Sequence, residues 1–249
     1  MQIDGCGAFV TGGASGLGAA VAEMLASAGA AVTIFDLNAD AAAATAARIG
    51  ATAASGDVAS EDDVTRALAD IESLRIVVNC AGIAPPGKLV GRDGPILLAA
   101  FEHVLRVNLV GTLNVMRLAA VRMQALDPLA DGARGAIVNT ASVAAFDGQI
   151  GQVAYAASKA GIAGMTLPVA RELARSGIRV NTIAPGIFRT PLMEGLPDDA
   201  QESLGRQVPY PSRLGDPAEF AATVRFCIET QYLNAEVIRL DGAIRMQPK

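Results

Sequence analysis

Short apolar runs alternate along the chain with longer stretches whose apolar residues recur at helical spacing. The runs Gly7–Thr11, Ala31–Phe35, Thr52–Ser55, Ile76–Asn79, Gly135–Thr140, Ile178–Ile183 and Val237–Leu240 read as strands. Most are continuously apolar rather than alternating, as strands covered on both faces must be. Helices are expected at about 17–28, 39–48, 61–73, 99–126, 153–175 and 217–230. This alternation predicts βαβ crossovers and an α/β, doubly wound fold: a seven-stranded parallel sheet with helices on both faces. No linker, low-complexity stretch or further repeat interrupts the pattern, so residues 1–249 read as one domain.

Composition narrows the function classes. Apolar residues make up 51% of the chain, enough for a large core, and the net charge is −5. No Lys or Arg block favours nucleic acid or an anionic membrane surface. Residues 5–22 are uncharged and reach the length of a membrane span. Their glycines, with Thr11 and Ser15, fit a turn between strand and helix better than burial in lipid. The three cysteines, Cys6, Cys80 and Cys227, are too few and too scattered for a disulfide framework or a zinc site. They suggest reduced thiols. With no basic leader after Met1, a cytoplasmic location is expected.

The first strand runs into Thr11-Gly12-Gly13-Ala14-Ser15-Gly16-Leu17-Gly18, and a helix follows at once. Glycines at 12, 16 and 18 permit a tight turn and close backbone approach. The N–H groups and dipole at the helix start favour a pyrophosphate. The second strand ends at Asp36, about twenty residues beyond the glycines, where a carboxylate can accept from ribose hydroxyls and repel a 2′-phosphate. Leu37 and Asn38 add no cation. NAD is therefore expected over NADP, in a Rossmann-type site.

Tyr155 and Lys159 lie four apart on a predicted helix and so share a face. A tyrosine is a poor base at neutral pH. A nearby ammonium and the positive ring of an oxidised nicotinamide would stabilise its phenolate. That arrangement makes a general base for alcohol oxidation and a general acid for carbonyl reduction. Ser142 lies thirteen residues before Tyr155 and ends a strand segment, where its hydroxyl can orient a substrate oxygen. Gln149, between them, is a candidate substrate contact. His103 is the only histidine and has no acid or cysteine at ligand spacing, so neither a hydrolase triad nor a metal site is expected. Asp62-Asp63 and Asp198-Asp199 read as helix starts.

Together these residues resemble the short-chain dehydrogenases/reductases across nearly the whole chain. The likeness is carried by Thr11–Gly18, Asp57-Val58, Asn79-Cys80-Ala81-Gly82, Asn108, Ser142, Tyr155 and Lys159, and Pro185-Gly186 leading to Thr190. The resemblance implies cofactor contacts from Gly12, Ser15, Leu17, Gly18, Asp36, Cys80, Gly82, Tyr155, Lys159, Pro185, Phe188 and Thr190. It puts Asp57 and Val58 at the adenine and Pro185–Thr190 near the nicotinamide carboxamide. It makes Asn108, Ser142, Tyr155 and Lys159 catalytic, with Lys159 on the nicotinamide ribose and Asn108 holding a proton-relay water. The segments 139–149, 209–217 and 237–248 further resemble the type-2 3-hydroxyacyl-CoA dehydrogenases, also called type 10 17β-hydroxysteroid dehydrogenases. That subfamily implies a homotetramer acting on 3-hydroxyacyl-CoA with NAD. Ile83–Ala99 departs from the subfamily's loop near the active-site mouth, which leaves acyl against steroid preference open. A mobile substrate lid is expected near 191–213, from its prolines and Gly195. A hydroxysteroid or alicyclic alcohol dehydrogenase of the same fold is the alternative. A non-enzymatic NAD-binding scaffold protein is the remote one.

Overall fold

The computed structural model describes residues 1–92, 94–194 and 197–248. Among them, the strands are β1 (Gly7–Thr11), β2 (Ala31–Asp36), β3 (Thr52–Ser55), β4 (Leu74–Asn79), β5 (Val90–Gly91), β6 (Gly94–Pro95), β7 (Gly135–Thr140), β8 (Ile178–Pro185) and β9 (Val237–Leu240). The helices are α1 (Gly16–Ser27), α2 (Ala39–Ile49), α3 (Glu61–Ala69), α4 (Leu98–Leu105), α5 (Gly111–Gln124), α6 (Val153–Leu173), α7 (Pro191–Glu194), α8 (Asp198–Arg206) and α9 (Pro217–Glu229). Seven strands form one sheet in the order β3-β2-β1-β4-β7-β8-β9, and every pairing in it is parallel. This is the predicted doubly wound sheet.

The continuous apolar runs have a direct cause. In β1, Ala8 and Val10 pack on one face while Phe9 packs on the other. In β4, Ile76 and Val78 face opposite to Val77, and in β7 Ala136 and Val138 oppose Ile137. One face is covered by Val21 and Leu25 of α1, Ala42 of α2, and Phe220, Val224 and Ile228 of α9. The other is covered by Val64 and Leu68 of α3, Val115 and Met116 of α5, and Ala170 of α6. Alternating side chains therefore all meet a core, and no position in a central strand can be polar for solvent's sake.

Several boundaries and connections differ from expectation. The helix expected at 61–73 stops at Ala69, because Ile71 and Leu74 turn into the core and Ser73, at φ +46°, swings the chain into β4. The helix expected over 99–126 is split by a π turn at Arg106–Val110. A short antiparallel pair, β5 with β6, lies in the segment read as the departing loop.

At the sheet edge away from the strand C-termini, Arg179 of β8 is buried and, among the described residues, has no carboxylate within salt-bridge distance. Its guanidinium donates to the carbonyls of Cys227 (2.6 Å), Ile228 and Leu233 (2.9 Å), at the end of α9. A cation there complements the negative end of the helix and supplies donors that its last turn lacks. Arg179→Leu should orphan these carbonyls and cost roughly 2–4 kcal/mol, read as an earlier urea midpoint. An unchanged midpoint would mean that water replaces the guanidinium freely.

Candidate active site

Chain order reverses between β1 and β4, which opens a crevice at the C-terminal ends of the strands. A cavity of about 750 Å³ occupies it. One half is walled by Gly12, Ser15, Leu17, Gly18, Asp36, Asp57 and Val58. The other is walled by Cys80, Gly82, Ser142, Gln149, Tyr155, Lys159, Pro185, Phe188 and Thr190. Of the residues singled out in the sequence for this site, Asn108 alone is not in the wall; it lies buried behind it.

The dinucleotide half follows from local sequence. Gly12 adopts φ +65°, and a Cβ on Gly18 would stand 2.1 Å from the Gly12 carbonyl oxygen. Only glycine lets α1 start this close to the loop. Helices α2, α3 and α9 are capped by Asn38, Ser60 and Asp216, and each has an acid in its first turn. Helix α1 has neither: Ser15 makes no capping bond and the first turn has no acid. Its positive end is thus left for an anion from outside the chain. Asp36 accepts from the Ala14 N–H (3.1 Å) and the Asn38 N–H (3.1 Å), which ties the loop to β2. A carboxylate has further lone pairs for ribose hydroxyls. The residues fit a dinucleotide, with bare backbone for its phosphates and an acid for its ribose.

The reaction half is assembled across the sheet. Lys159 is buried, and its Nζ donates to the Thr140 carbonyl at 2.7 Å. Burial pulls its ammonium down to about 8. Nζ stands 5.7 Å from the centre of the Tyr155 ring. Burial raises the Tyr155 phenol above its ordinary value, and a hydrogen bond with Ser142 pulls it part of the way back. Helical spacing puts Tyr155 and Lys159 on one side, but the ammonium is turned toward Thr140, and desolvation outweighs it at the phenol. Cys80 is also raised by burial, to about 11, so it is a thiol and not a nucleophile.

Asn108 sits in the π turn, a distortion common at functional sites. Its Oδ1 accepts from the Ile83 N–H (2.8 Å), and its Nδ2 donates to the Ile83 carbonyl (2.9 Å) and to Ser158 Oγ (3.0 Å). The side chain is thus spent on protein partners and pins the Cys80–Ile83 wall to α6. Ser158 in turn donates to the Tyr155 carbonyl at 2.7 Å. Gln149 donates to the Gln247 carbonyl at 2.9 Å and so holds the C-terminal tail as well as lining the cavity. Phe188 lines the cavity, yet its ring packs edge-on against Phe220 at 6.3 Å.

Several wall residues were not singled out in the sequence: Thr140, Gln152, Met193, Leu204 and Met246. Thr140 and Gln152 flank motifs and were within reach of sequence reasoning. Met246 comes from the far end of the chain and carries no local signal. In the expected lid, Pro191, Met193 and Leu204 line the cavity from α7 and α8, while Gly195 lies outside the described residues. The departing segment reaches the cavity at Ile83 and Ala84.

Comparison with known proteins agrees with this geometry. The family model for short chain dehydrogenase matches residues 7–201. The 3-hydroxyacyl-CoA dehydrogenase type-2 of Homo sapiens is 53% identical over 255 aligned residues, covering 99% of this chain and 98% of that protein. The crystal structure of 3-hydroxyacyl-CoA dehydrogenase type-2 from Mycobacterium avium superposes with a TM-score of 0.96 at 44% identity, covering 100% of this chain and 99% of that one. The Pseudomonas aeruginosa RhlG/NADP active-site complex superposes with a TM-score of 0.86 at 28% identity, covering 98% of each chain. The chain belongs to the short-chain dehydrogenase/reductase family of nicotinamide-dependent oxidoreductases.

Proposed function

We propose that this enzyme interconverts 3-hydroxyacyl-CoA and 3-oxoacyl-CoA with NAD. The observation that carries the reaction type is the meeting of Ser142, Tyr155 and Lys159 in one cavity with the uncapped end of α1 and Asp36. The acyl-CoA assignment rests on the type-2 relatives, which resemble this chain over almost their whole length. A hydroxysteroid or alicyclic alcohol is the second reading, favoured by the departing hairpin segment at the mouth.

Bound in the crevice, the nicotinamide supplies the site that accepts or donates the hydride. Tyr155 takes the hydroxyl proton at its Oη in oxidation and returns it in reduction. Ser142 has one O–H to donate, to Tyr155 in the free enzyme and to the substrate oxygen once substrate is bound. Lys159 keeps one donor on Thr140 and has two more for ribose hydroxyls. Because burial alone raises the phenol, Tyr155 becomes an effective base only when positive charge is added beside it. This couples proton removal to the oxidised state of the cofactor. Asn108 serves by holding Ile83 and Ser158, so any relay water there would sit on backbone rather than on its amide.

NAD is favoured over NADP by charge. Lys159 is the only Lys or Arg in the cavity wall among the described residues, and the Asp36 carboxylate in that wall would repel a 2′-phosphate. We extend the reading to a homotetramer, for which exposed Leu98, Val110, Leu113 and Val121 along α4–α5 supply apolar surface.

Tyr155→Phe should bind NADH normally and lose turnover of acetoacetyl-CoA by about 10²–10⁴-fold in NADH-consumption assays. Near-parent turnover would remove Tyr155 from the mechanism, and faster turnover of a steroid ketone by the parent would favour the second reading. Asp36→Ala should weaken NAD and narrow its lead over NADP in kcat/KM. Equal use of both cofactors by the parent would defeat the NAD assignment.

Lys159 has its own pH signature. The folded chain releases its proton at about 8, and the unfolded chain near 10.5. Between these values the unfolded chain holds more protons, so this group makes folding more favourable as pH rises. The urea midpoint of the parent relative to Lys159→Met should therefore move in the parent's favour from about pH 7.5 to about 9.5. A flat difference would mean that the ammonium is solvated.

A further inference from the structure

Arg239 of β9 lies outside the cavity wall and at the centre of a charge network. Its Nη2 donates to Asp147 (2.6 Å) and to the Ile244 carbonyl (3.2 Å), and its Nε donates to Asp241 (2.8 Å). Its guanidinium also lies 5.3 Å from the centre of the Phe146 ring. Arg245 faces the same Asp241 at 3.2 Å. The Arg239–Asp147 pair is mostly buried, with side chains 23% and 20% exposed. Arg239 holds the Asp147 carboxyl below its usual range.

Asp147 belongs to the loop that leaves β7 after Ser142 and enters α6 just before Tyr155. From the tail, the Met246 N–H and the charge of Arg245 also act on Asp147. Among the described residues, the other links to this loop are neutral hydrogen bonds. Gly87 N–H donates to the Gly151 carbonyl (2.8 Å), from the segment leading to β5. Ile150 N–H donates to the Pro248 carbonyl (3.0 Å), and Gln149 donates to the Gln247 carbonyl (2.9 Å), in the C-terminal tail. Such bonds at a surface contribute little singly. The charge-assisted, two-pronged contact is the one that anchors loop and tail to a strand of the sheet. Gln149 and Gln152 of the loop and Met246 of the tail all line the cavity. Among the described residues, none from Gly12 to Val58 forms a hydrogen bond or ion pair with Arg239, and the cofactor loop comes near the network only where Gly186 packs against Asp241.

We propose that Arg239 is a positioning residue for the carbonyl substrate. Through Asp147 it fixes the loop after Ser142, and through Asp241 and the Ile244 carbonyl it fixes the tail. Gln149, Gln152 and Met246 then form a rigid wall on the substrate side of the cavity. This deepens the dehydrogenase reading and rests on it. Ser142 and Tyr155 flank the loop but are held at the ends of β7 and α6, and the glycine loop and Asp36 stand on β1 and β2, so a loose wall costs substrate affinity first. Lysine at 239 would keep the charge and lose the fork that spans Asp147 and Asp241.

The test uses Asp147→Asn, Arg239→Met, their double variant and Arg239→Lys in the full chain. Asp147→Asn and Arg239→Met should each raise KM for acetoacetyl-CoA about tenfold while kcat stays within about threefold and NADH Kd within about twofold. The double variant should be no worse than the worse single by more than about twofold, since both remove one interaction. Arg239→Lys should recover part of the KM. Hydrogen exchange in Asp147→Asn should quicken in residues 147–152 and 241–248 together. An unchanged KM, an NADH Kd that rises in step with KM, or single effects that multiply in the double variant would overturn the proposal. If the parent reduces no 3-oxoacyl-CoA, the substrate reading fails on the parent alone, and the ratios are taken with the ketone it does reduce. Unchanged exchange in both segments sinks the positioning role whatever the substrate.

Discussion

A parallel sheet buried on both faces turns every strand the same way, so all the chain's strand-to-helix exits gather along one edge. The chemistry of this protein depends on that constraint. The glycine loop leaves β1, Asp36 ends β2, Asn79 ends β4, Thr140 ends β7 and Pro185 ends β8, and all five exits lie at the same edge. The reversal of strand order between β1 and β4 keeps the helices there from closing over the crevice. A cavity of about 750 Å³ with two chemically different halves is the result.

The halves carry opposite electrostatic demands. On the cofactor side, α1 begins without a cap or an acid, and so forgoes a contribution of about 1 kcal/mol that α2, α3 and α9 each take from their caps. On the reaction side, an ammonium and a phenol are held out of water, and both are shifted in the direction that burial dictates. Neither arrangement serves the folded chain by itself. Each makes sense as one side of an interaction completed by a charged ligand, with phosphate at the helix start and positive charge beside Tyr155. This is the expected form of a site that trades stability for preorganisation.

The substrate side is built differently. Besides the lid helices α7 and α8, its wall comes from three segments far apart in the chain: the segment before β5, the loop before α6, and the C-terminal tail. They are joined mainly by edge hydrogen bonds and one ion-pair network. Loops joined in this way can change shape without disturbing the sheet, which is how one scaffold comes to serve different alcohols. The segment at 83–99 reaches this side of the cavity at Ile83 and Ala84.

Local periodicity and local spacing were enough to determine the strands, their parallel arrangement, the glycine loop, Asp36 and the Tyr155–Lys159 pair. Those features depend on residues near one another in the chain, or on burial that repeats every second residue. The tertiary structure alone decided where the side chains spend their bonds. Asn108 turns out to clasp Ile83, 25 residues away, because a π turn rotates it there. Lys159 gives a donor to Thr140, 19 residues back, while its Nζ stays 5.7 Å from the centre of the Tyr155 ring. Arg239 reaches Asp147 across 92 residues. Contacts of this kind are set by which strands become neighbours in the sheet, and a linear pattern of apolar and polar residues records that a position is buried but not what it is buried against.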